Sequence, residues 1–202
     1  YVFECTGKFN SKQKLISHIN NGAKKVIVSA PCKNSDKTIV FGVNENILTK
    51  DDQIISAASC TTNCLAPVVK VVHDNFSIKH GVITTIHDLT NTQVPIDYYK
   101  SDLRRARSCI QNLIPTTTGS AKAISDIFPE LKGKLNGHAV RVPLLNASLT
   151  DAVFELNTAI TEAEVNEAFE QASETYLKGI LGYEKRPLVS IDYVNDSRST
   201  IV

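Results

Sequence analysis

The chain has 202 residues, with 22 Lys and Arg against 21 Asp and Glu, and the resulting formal net charge of +1 excludes the broad basic field of a nucleic-acid binder. At 42% hydrophobic and 21% charged residues it reads as a globular chain with a sizeable core, not as a disordered or collagen-like one. No apolar run approaches the ~20 residues that span a bilayer, so a soluble protein without membrane association is expected.

Tyr1 to Cys5 (YVFEC) reads as a strand running into Thr6-Gly7. Ser11 is placed to cap a helix over SKQKLISHINNG, where Leu15, Ile16 and Ile19 share a face and Gly22 supplies the stop. KKVIVSA (Lys24 to Ala30) has apolar residues at successive positions, the pattern of a strand buried on both faces of a parallel sheet. Strand, helix and strand in this order form a βαβ unit. TIVFGVN (Thr38 to Asn44) and QIISAA (Gln53 to Ala58) read as two more strands.

From Cys60, CTTNCLAPVVKVVHDNF carries Leu65, Val68, Val69 and Val72 at helical spacing, with Pro67 early enough to be tolerated. GVITTIHDLT (Gly81 to Thr90) reads as a buried strand, followed by an irregular stretch from Asn91 to about Arg107. SAKAISDIF is a short helix, HAVRVPL and ASLTDAVFELN are strands, and TEAEVNEAFEQASE is an amphipathic helix opened by a Thr161/Glu164 capping box. LVSIDYV (Leu188 to Val194) reads as a last strand. The order of elements changes from α/β to α+β near Ser59, which predicts a boundary there: residues 1–58 and residues 59–202. With an apolar strand at its first residues and no Met anywhere, the chain reads as an internal piece of a longer protein.

Five cysteines are too few for a disulfide scaffold and leave one unpaired, so reduced thiols in a cytoplasmic protein are the simpler reading. Cys60 stands between a buried strand and a helix start, where the helix dipole and free N–H groups favour thiolate. Lowering an ordinary thiol pKa by ~2 units takes roughly 3 kcal/mol, and a helix N-terminus supplies at most ~2, so a nearby imidazole is needed. The choices are His18, His73, His80, His87 and His138. His87, at the end of a strand and before a long loop, has the position at which α/β and α+β enzymes tend to place reactive groups, whereas His73 and His80 look solvated. The pattern alone leaves open that Cys60 is a small buried residue and His87 a satisfied edge histidine. Cys60 and Cys64 share a helix face, but no second pair of ligands accompanies them, so no metal site is expected. Thr90, Thr92 and Gln93 after His87, the hydroxyls of PTTTGSA (Pro115 to Ala121) at a helix start, and Arg141 inside an apolar strand suit an anion, although PTTTGSA also reads as plain capping.

SCTTNCLAP (Ser59 to Pro67) followed by TTIH ending at His87 resembles the active-site signature of the phosphorylating glyceraldehyde-3-phosphate dehydrogenase family. ECTGKF, KKVIVSAP, TGSAKAI, RVP, LKGILGY and DSRSTIV extend the resemblance over the whole chain. It implies the C-terminal part of a Rossmann NAD-binding domain, followed by an antiparallel-sheet catalytic domain. It implies Cys60 as the nucleophile that carries a thioester and His87 as general base. Thr90, Thr92 and Arg141 would hold the substrate phosphate, and Ser59, Thr61, Thr118 and Gly119 the attacking anion. Thr6, Gly7 and Ser29 would touch NAD. The substrates would be glyceraldehyde 3-phosphate with phosphate or arsenate, in a homotetramer. In the common glycolytic enzyme Ala-Tyr stands in place of Asp88-Leu89, and a Trp-Arg-Gly-Gly-Arg run in place of residues 102–107. These departures resemble the arsenic-resistance-associated bacterial branch of the family, in which an arsenical efflux permease is the pathway partner.

Overall fold

The computed structural model describes residues 1–202 as two four-stranded sheets flanked by helices. The first sheet holds β1 (Val2–Glu4), β2 (Val26–Val28), β3 (Lys37–Thr38) and β4 (Ile54–Ser56) in the order β1-β2-β4-β3, all parallel. α1 (Lys12–Asn20) packs on it through Leu15, which is fully buried with Val26, Val28 and Ile54. Three carboxyl ends lie level, because Glu4 pairs with Val28 and Val28 with Ser56. The segments that leave them, at Thr6-Gly7, Ser29 and Ser59-Cys60, therefore emerge along one edge, with neighbouring strands about 4.8 Å apart.

The second sheet, in the order β6-β7-β5-β8, holds β5 (Ile78–His87), β6 (Ile114–Thr117), β7 (Leu135–Arg141) and β8 (Leu149–Leu156). β8 and β6 are antiparallel to their neighbours, whereas β5 and β7 run parallel. The sheet is thus antiparallel at both of its edges and parallel at its central pair. One of its faces is covered by α2 (Cys60–Phe76), α3 (Ser120–Ile127) and α4 (Glu162–Glu174) around a core that includes Leu65, Val69, Ile83, Ile124 and Phe169. A two-stranded parallel pair, β9 (Leu181–Gly182) and β10 (Thr200–Ile201), completes the fold. No helix is long and apolar enough to cross a membrane.

The local chemistry agrees with the sequence pattern at α4, where Thr161 Oγ1 accepts from Glu164 N–H and Glu164 Oε2 accepts from Thr161 N–H at 2.7 Å. Elsewhere the structure corrects it. The run Thr38 to Asn44 is a strand only at Thr38; the rest is turn, because the Asn44 side chain accepts from Val40 N–H and donates to the Thr38 carbonyl, and Gly42 has φ +83°. The run Leu188 to Val194 is not a strand but a 3-10 turn at Ser190–Tyr193, with Asp192 accepting from Val189 N–H at 2.9 Å. β5 is buried on one face only: Ile83, Thr85 and His87 point inward, while Val82 and Ile86 are exposed. Pro67 lies well inside α2, which continues through it.

Candidate active site

Cys60 opens α2 one residue after its cap, Ser59, whose hydroxyl accepts from Thr62 N–H at 3.1 Å. The turn before the helix is held unusually. Ala58 has φ +60°, a conformation costly for a residue with a Cβ, and Asn63 Nδ2 donates to the carbonyls of Ala57 (2.8 Å) and Ser59 (2.9 Å). Cys60 itself is solvent-accessible.

His87 ends β5 on its inward face, 4% exposed, with Nε2 3.4 Å from Cys60 Sγ. The hydrogen bond to His87 is the main cause that holds the Cys60 thiol below its usual range, against burial that pushes it up; the His87 charge and Thr61 assist. Reciprocally, the bond to Cys60 raises the His87 imidazole, opposed by burial and by the Arg141 charge and assisted by the Asp88 carbonyl. Both shifts favour a thiolate beside an imidazolium, a nucleophile in contact with the group that has taken its proton.

Arg141 enters through strand register, since β5 and β7 pair His87 with Arg141. Its Nη1 donates to the Asp88 carbonyl at 3.1 Å, and its Nε is buried without a partner. Burial and the Arg105 charge push the Arg141 guanidinium pKa down, opposed by the charges of Cys60 and Asp88. An unpaired buried donor of this kind calls for a ligand. Thr90 and Thr92 share a 2.9 Å hydrogen bond, and Arg105 Nη1 donates to Thr92 Oγ1 at 3.1 Å.

The other anticipated residues divide. Thr61 is buried within the first turn of α2. Thr118 and Gly119 stand between β6 and α3; Thr118 Oγ1 accepts from Ser120 N–H at 3.2 Å, and neither residue bonds to Cys60 or His87. PTTTGSA thus runs from the end of β6 (Pro115 to Thr117) into the start of α3, with Gly119 at the cap position. Thr6 N–H and hydroxyl donate to the buried Glu4 carboxylate, and Gly7 has φ +72° with open space around it. The Ser29 hydroxyl donates to the Glu4 carbonyl at 3.3 Å. His73 is not solvated: its Nδ1 accepts from Ile78 N–H at 3.1 Å and closes the end of α2. Cys64 turns from Cys60 toward Thr200, 3.4 Å away, and no group of three His, Cys, Asp or Glu side chains is placed to hold a metal ion.

Sequence reasoning missed Asn63 and Ser148, and noticed Asp88 only as a departure from the family pattern. Asn63 stands inside a motif already noticed, and Gln93, singled out with Thr90 and Thr92, is buried and accepts from Thr90 N–H at 3.1 Å. The sequence signal was present, as buried amides need partners. Asp88 and Ser148 meet only through tertiary structure, 60 residues apart in the chain.

The carboxyl edge of a parallel α/β sheet thus leads directly to a paired thiol and imidazole, a cysteine–histidine site. Comparison with known proteins gives the family. The sequence profile "Glyceraldehyde 3-phosphate dehydrogenase, C-terminal domain" matches residues 59–202, and the chain belongs to that family. It is 59% identical over its full length to glyceraldehyde-3-phosphate dehydrogenase 3 of Nostoc sp., covering 60% of that protein. It is 55% identical to glyceraldehyde-3-phosphate dehydrogenase 2 of Bacillus subtilis, covering all of this chain and 59% of the relative. With the glyceraldehyde-3-phosphate dehydrogenase of Cereibacter sphaeroides it shares 50% identity, over 99% of this chain and 60% of the relative. The chain thus spans about 60% of the length of these relatives.

Proposed function

We propose that this chain carries the catalytic centre of an NAD-dependent phosphorylating glyceraldehyde-3-phosphate dehydrogenase, with residues 1–58 serving the cofactor and residues 59–202 the chemistry. The observation that carries this is the 3.4 Å contact between Cys60 Sγ and His87 Nε2, at the edge where the parallel sheet ends. In this reading the Cys60 thiolate bonds to the aldehyde carbon of glyceraldehyde 3-phosphate, the His87 imidazolium gives its Nε2 proton to the resulting oxyanion, and the neutral Nε2 takes that proton back as the carbon loses a hydride and becomes a thioester. Phosphate then attacks the thioester carbon, and the C–S bond breaks to return the Cys60 thiolate. Thr90, Thr92 and Arg141 hold the substrate phosphate, and Ser59, Thr61, Thr118 and Gly119 the attacking anion; the unpartnered Arg141 Nε supports an oxyanion there.

NAD, when bound, supplies the hydride acceptor. Thr6, Gly7 and Ser29 fit it, because they leave the carboxyl edge of a parallel sheet and an open glycine with positive φ lets a ligand approach the backbone. A homotetramer in the cytoplasm is part of the same reading. The test is alkylation of Cys60 by iodoacetamide at pH 6, where an unactivated thiol reacts slowly. Rapid labelling in the parent protein and slow labelling in His87→Asn support the pair; equal rates refute it.

A second reading, arsenate as the physiological acyl acceptor with an arsenical efflux permease as pathway partner, rests on Asp88-Leu89 and residues 102–107. Arsenate is nearly isosteric with phosphate, so hydroxyls and a guanidinium discriminate by ~1–3 kcal/mol at most. Parallel kcat/KM measurements with both anions, expected within about two orders of magnitude of each other, and arsenate tolerance of cells expressing Cys60→Ser test it.

A further inference from the structure

Groups of opposite character compete for one atom of His87. Nδ1 lies 2.9 Å from the Asp88 carbonyl oxygen, 2.6 Å from Asp88 Oδ1 and 2.7 Å from Arg141 Nη1. A ring nitrogen facing carbonyl and carboxylate oxygens is held as N–H, and one facing a guanidinium N–H is held as a lone pair. The outcome at Nδ1 determines the other nitrogen. With Nδ1 protonated, neutral His87 turns the Nε2 lone pair toward Cys60 Sγ and can accept its proton. With Nδ1 bare, Nε2 already carries the hydrogen and can accept none.

The carboxylate is itself fixed. Ser148, in the segment entering β8, donates its hydroxyl to Asp88 Oδ1 at 3.1 Å and accepts from Asp88 N–H at 3.1 Å. The His87 side chain is 5% exposed and that of Asp88 26%, so water screens the contact only in part. Arg141 has an alternative acceptor in the Asp88 carbonyl at 3.1 Å. The charged and titratable groups facing the ring are Cys60 from α2, Asp88 at the end of β5 and Arg141 from β7, with Arg105 of the long loop beside Arg141. Asp88 is the negative group among them on the Nδ1 side.

We propose that Asp88 is a positioning residue for His87: its carboxylate, held by Ser148, keeps the proton on Nδ1 against the Arg141 guanidinium and so leaves Nε2 free to act on Cys60. This rests on the reading of Cys60 and His87 as nucleophile and base. The arrangement makes a Cys60–His87–Asp88 series in which the third member works on tautomer and charge, without touching substrate.

The test is a pH titration of protein labelled with ¹⁵N-histidine, with the His87 signals assigned by their loss in His87→Asn. In Asp88→Asn the imidazolium is expected to lose its proton about one pH unit lower, a tenfold loss of proton affinity. The neutral ring should shift toward the Nε2–H tautomer. Ser148→Ala should move both readouts the same way by less. The midpoint and the nitrogen shifts are read, not the signal size, so a partly unfolded variant still reports. Iodoacetamide alkylation separates the two ideas. If His87→Asn raises the alkylation midpoint of Cys60 while Asp88→Asn leaves the His87 titration and tautomer as in the parent, Asp88 has no positioning role and the pair stands. If His87→Asn leaves that midpoint unmoved, the pair itself fails.

Discussion

Cys60 and His87 shift each other in opposite directions, and the sign of each shift sets a pH behaviour. The thiol is lowered, so thiolate exists at pH values below the ordinary midpoint near 8.5, and alkylation should already be fast in mildly acidic solution. The imidazole is raised, so the cation that stabilises the thiolate persists above its usual ~6.5. Between the lowered thiol midpoint and the raised imidazole midpoint the pair is charged. Replacing His87 with Asn removes the largest cause of the thiol shift, so the alkylation midpoint should move up toward that of a free thiol. In the intact enzyme the same change should cost ~10² to 10⁴ in kcat, the range for loss of a general base. A kcat within threefold of the parent, measured under saturating substrate, would count against that role. Arg141 yields a separate prediction. Charge-assisted hydrogen bonds contribute ~1.5–3 kcal/mol, so Arg141→Ala should raise KM for the phosphorylated substrate by roughly 10- to 100-fold. An unchanged KM would place the substrate phosphate elsewhere.

At the scale of elements, the site depends on two local devices. One is the turn before α2, where Asn63 bridges two carbonyls across the positive-φ Ala58. Asn63→Ala removes both bonds, at ~0.5–1.5 kcal/mol each, so a stability loss of about 1–3 kcal/mol by denaturant titration is expected, together with slower alkylation of Cys60. Loss of stability without slower alkylation would show that the turn does not set the thiol's position. The other is the parallel pairing of β5 with β7. A Cβ on Gly137 would meet the Ile83 carbonyl oxygen at 2.6 Å, and backbone cannot swing aside as a flexible side chain can. Gly137→Ala should therefore spread the strands, cost about 1–3 kcal/mol and disturb the register that aligns Arg141 with His87. These contacts mark what the sequence could not reveal. The period-3.6 pattern of α2 and the capping box of α4 are local and were legible, as was the all-parallel character of the first sheet from the unalternating VIV of β2. The runs Thr38 to Asn44 and Leu188 to Val194 are equally apolar, yet Asn44 and Asp192 bind backbone groups that a strand would need. β9 and β10 have two residues each, too short to show a period. Cys60, His87 and Arg141 were singled out by residue type and position, but the His87–Arg141 alignment is a consequence of strand register, and the Asp88–Ser148 contact of a loop closing over β5.

On the scale of the whole molecule, the two faces of the second sheet are unequal. α2, α3 and α4 cover the inward face, while the outward face of β5 and β8 shows Val82 at 53%, Val153 at 65%, Ile86 at 40% and Leu149 at 58% exposure. Val82 pairs with Val153 and Ile86 with Leu149 across the same two strands, with the polar pair Thr84 and Asp151 between them. Exposed apolar pairs of this kind are costly in water and are commonly covered by a partner. With a formal net charge of +1, long-range repulsion between copies is weak. Association of identical subunits through closed symmetry, as the proposed homotetramer requires, would bury this face against another copy. Val82→Asp combined with Val153→Asp sets four carboxylates across each two-fold contact in place of apolar side chains, and leaves the inward residues Ile83, Thr85 and His87 untouched. Sedimentation velocity over a dilution series should therefore find the parent protein associated and the double variant shifted to smaller species, with the pH-6 alkylation of Cys60 retained. If the double variant sediments as the parent does, the β5–β8 face is not where the subunits meet.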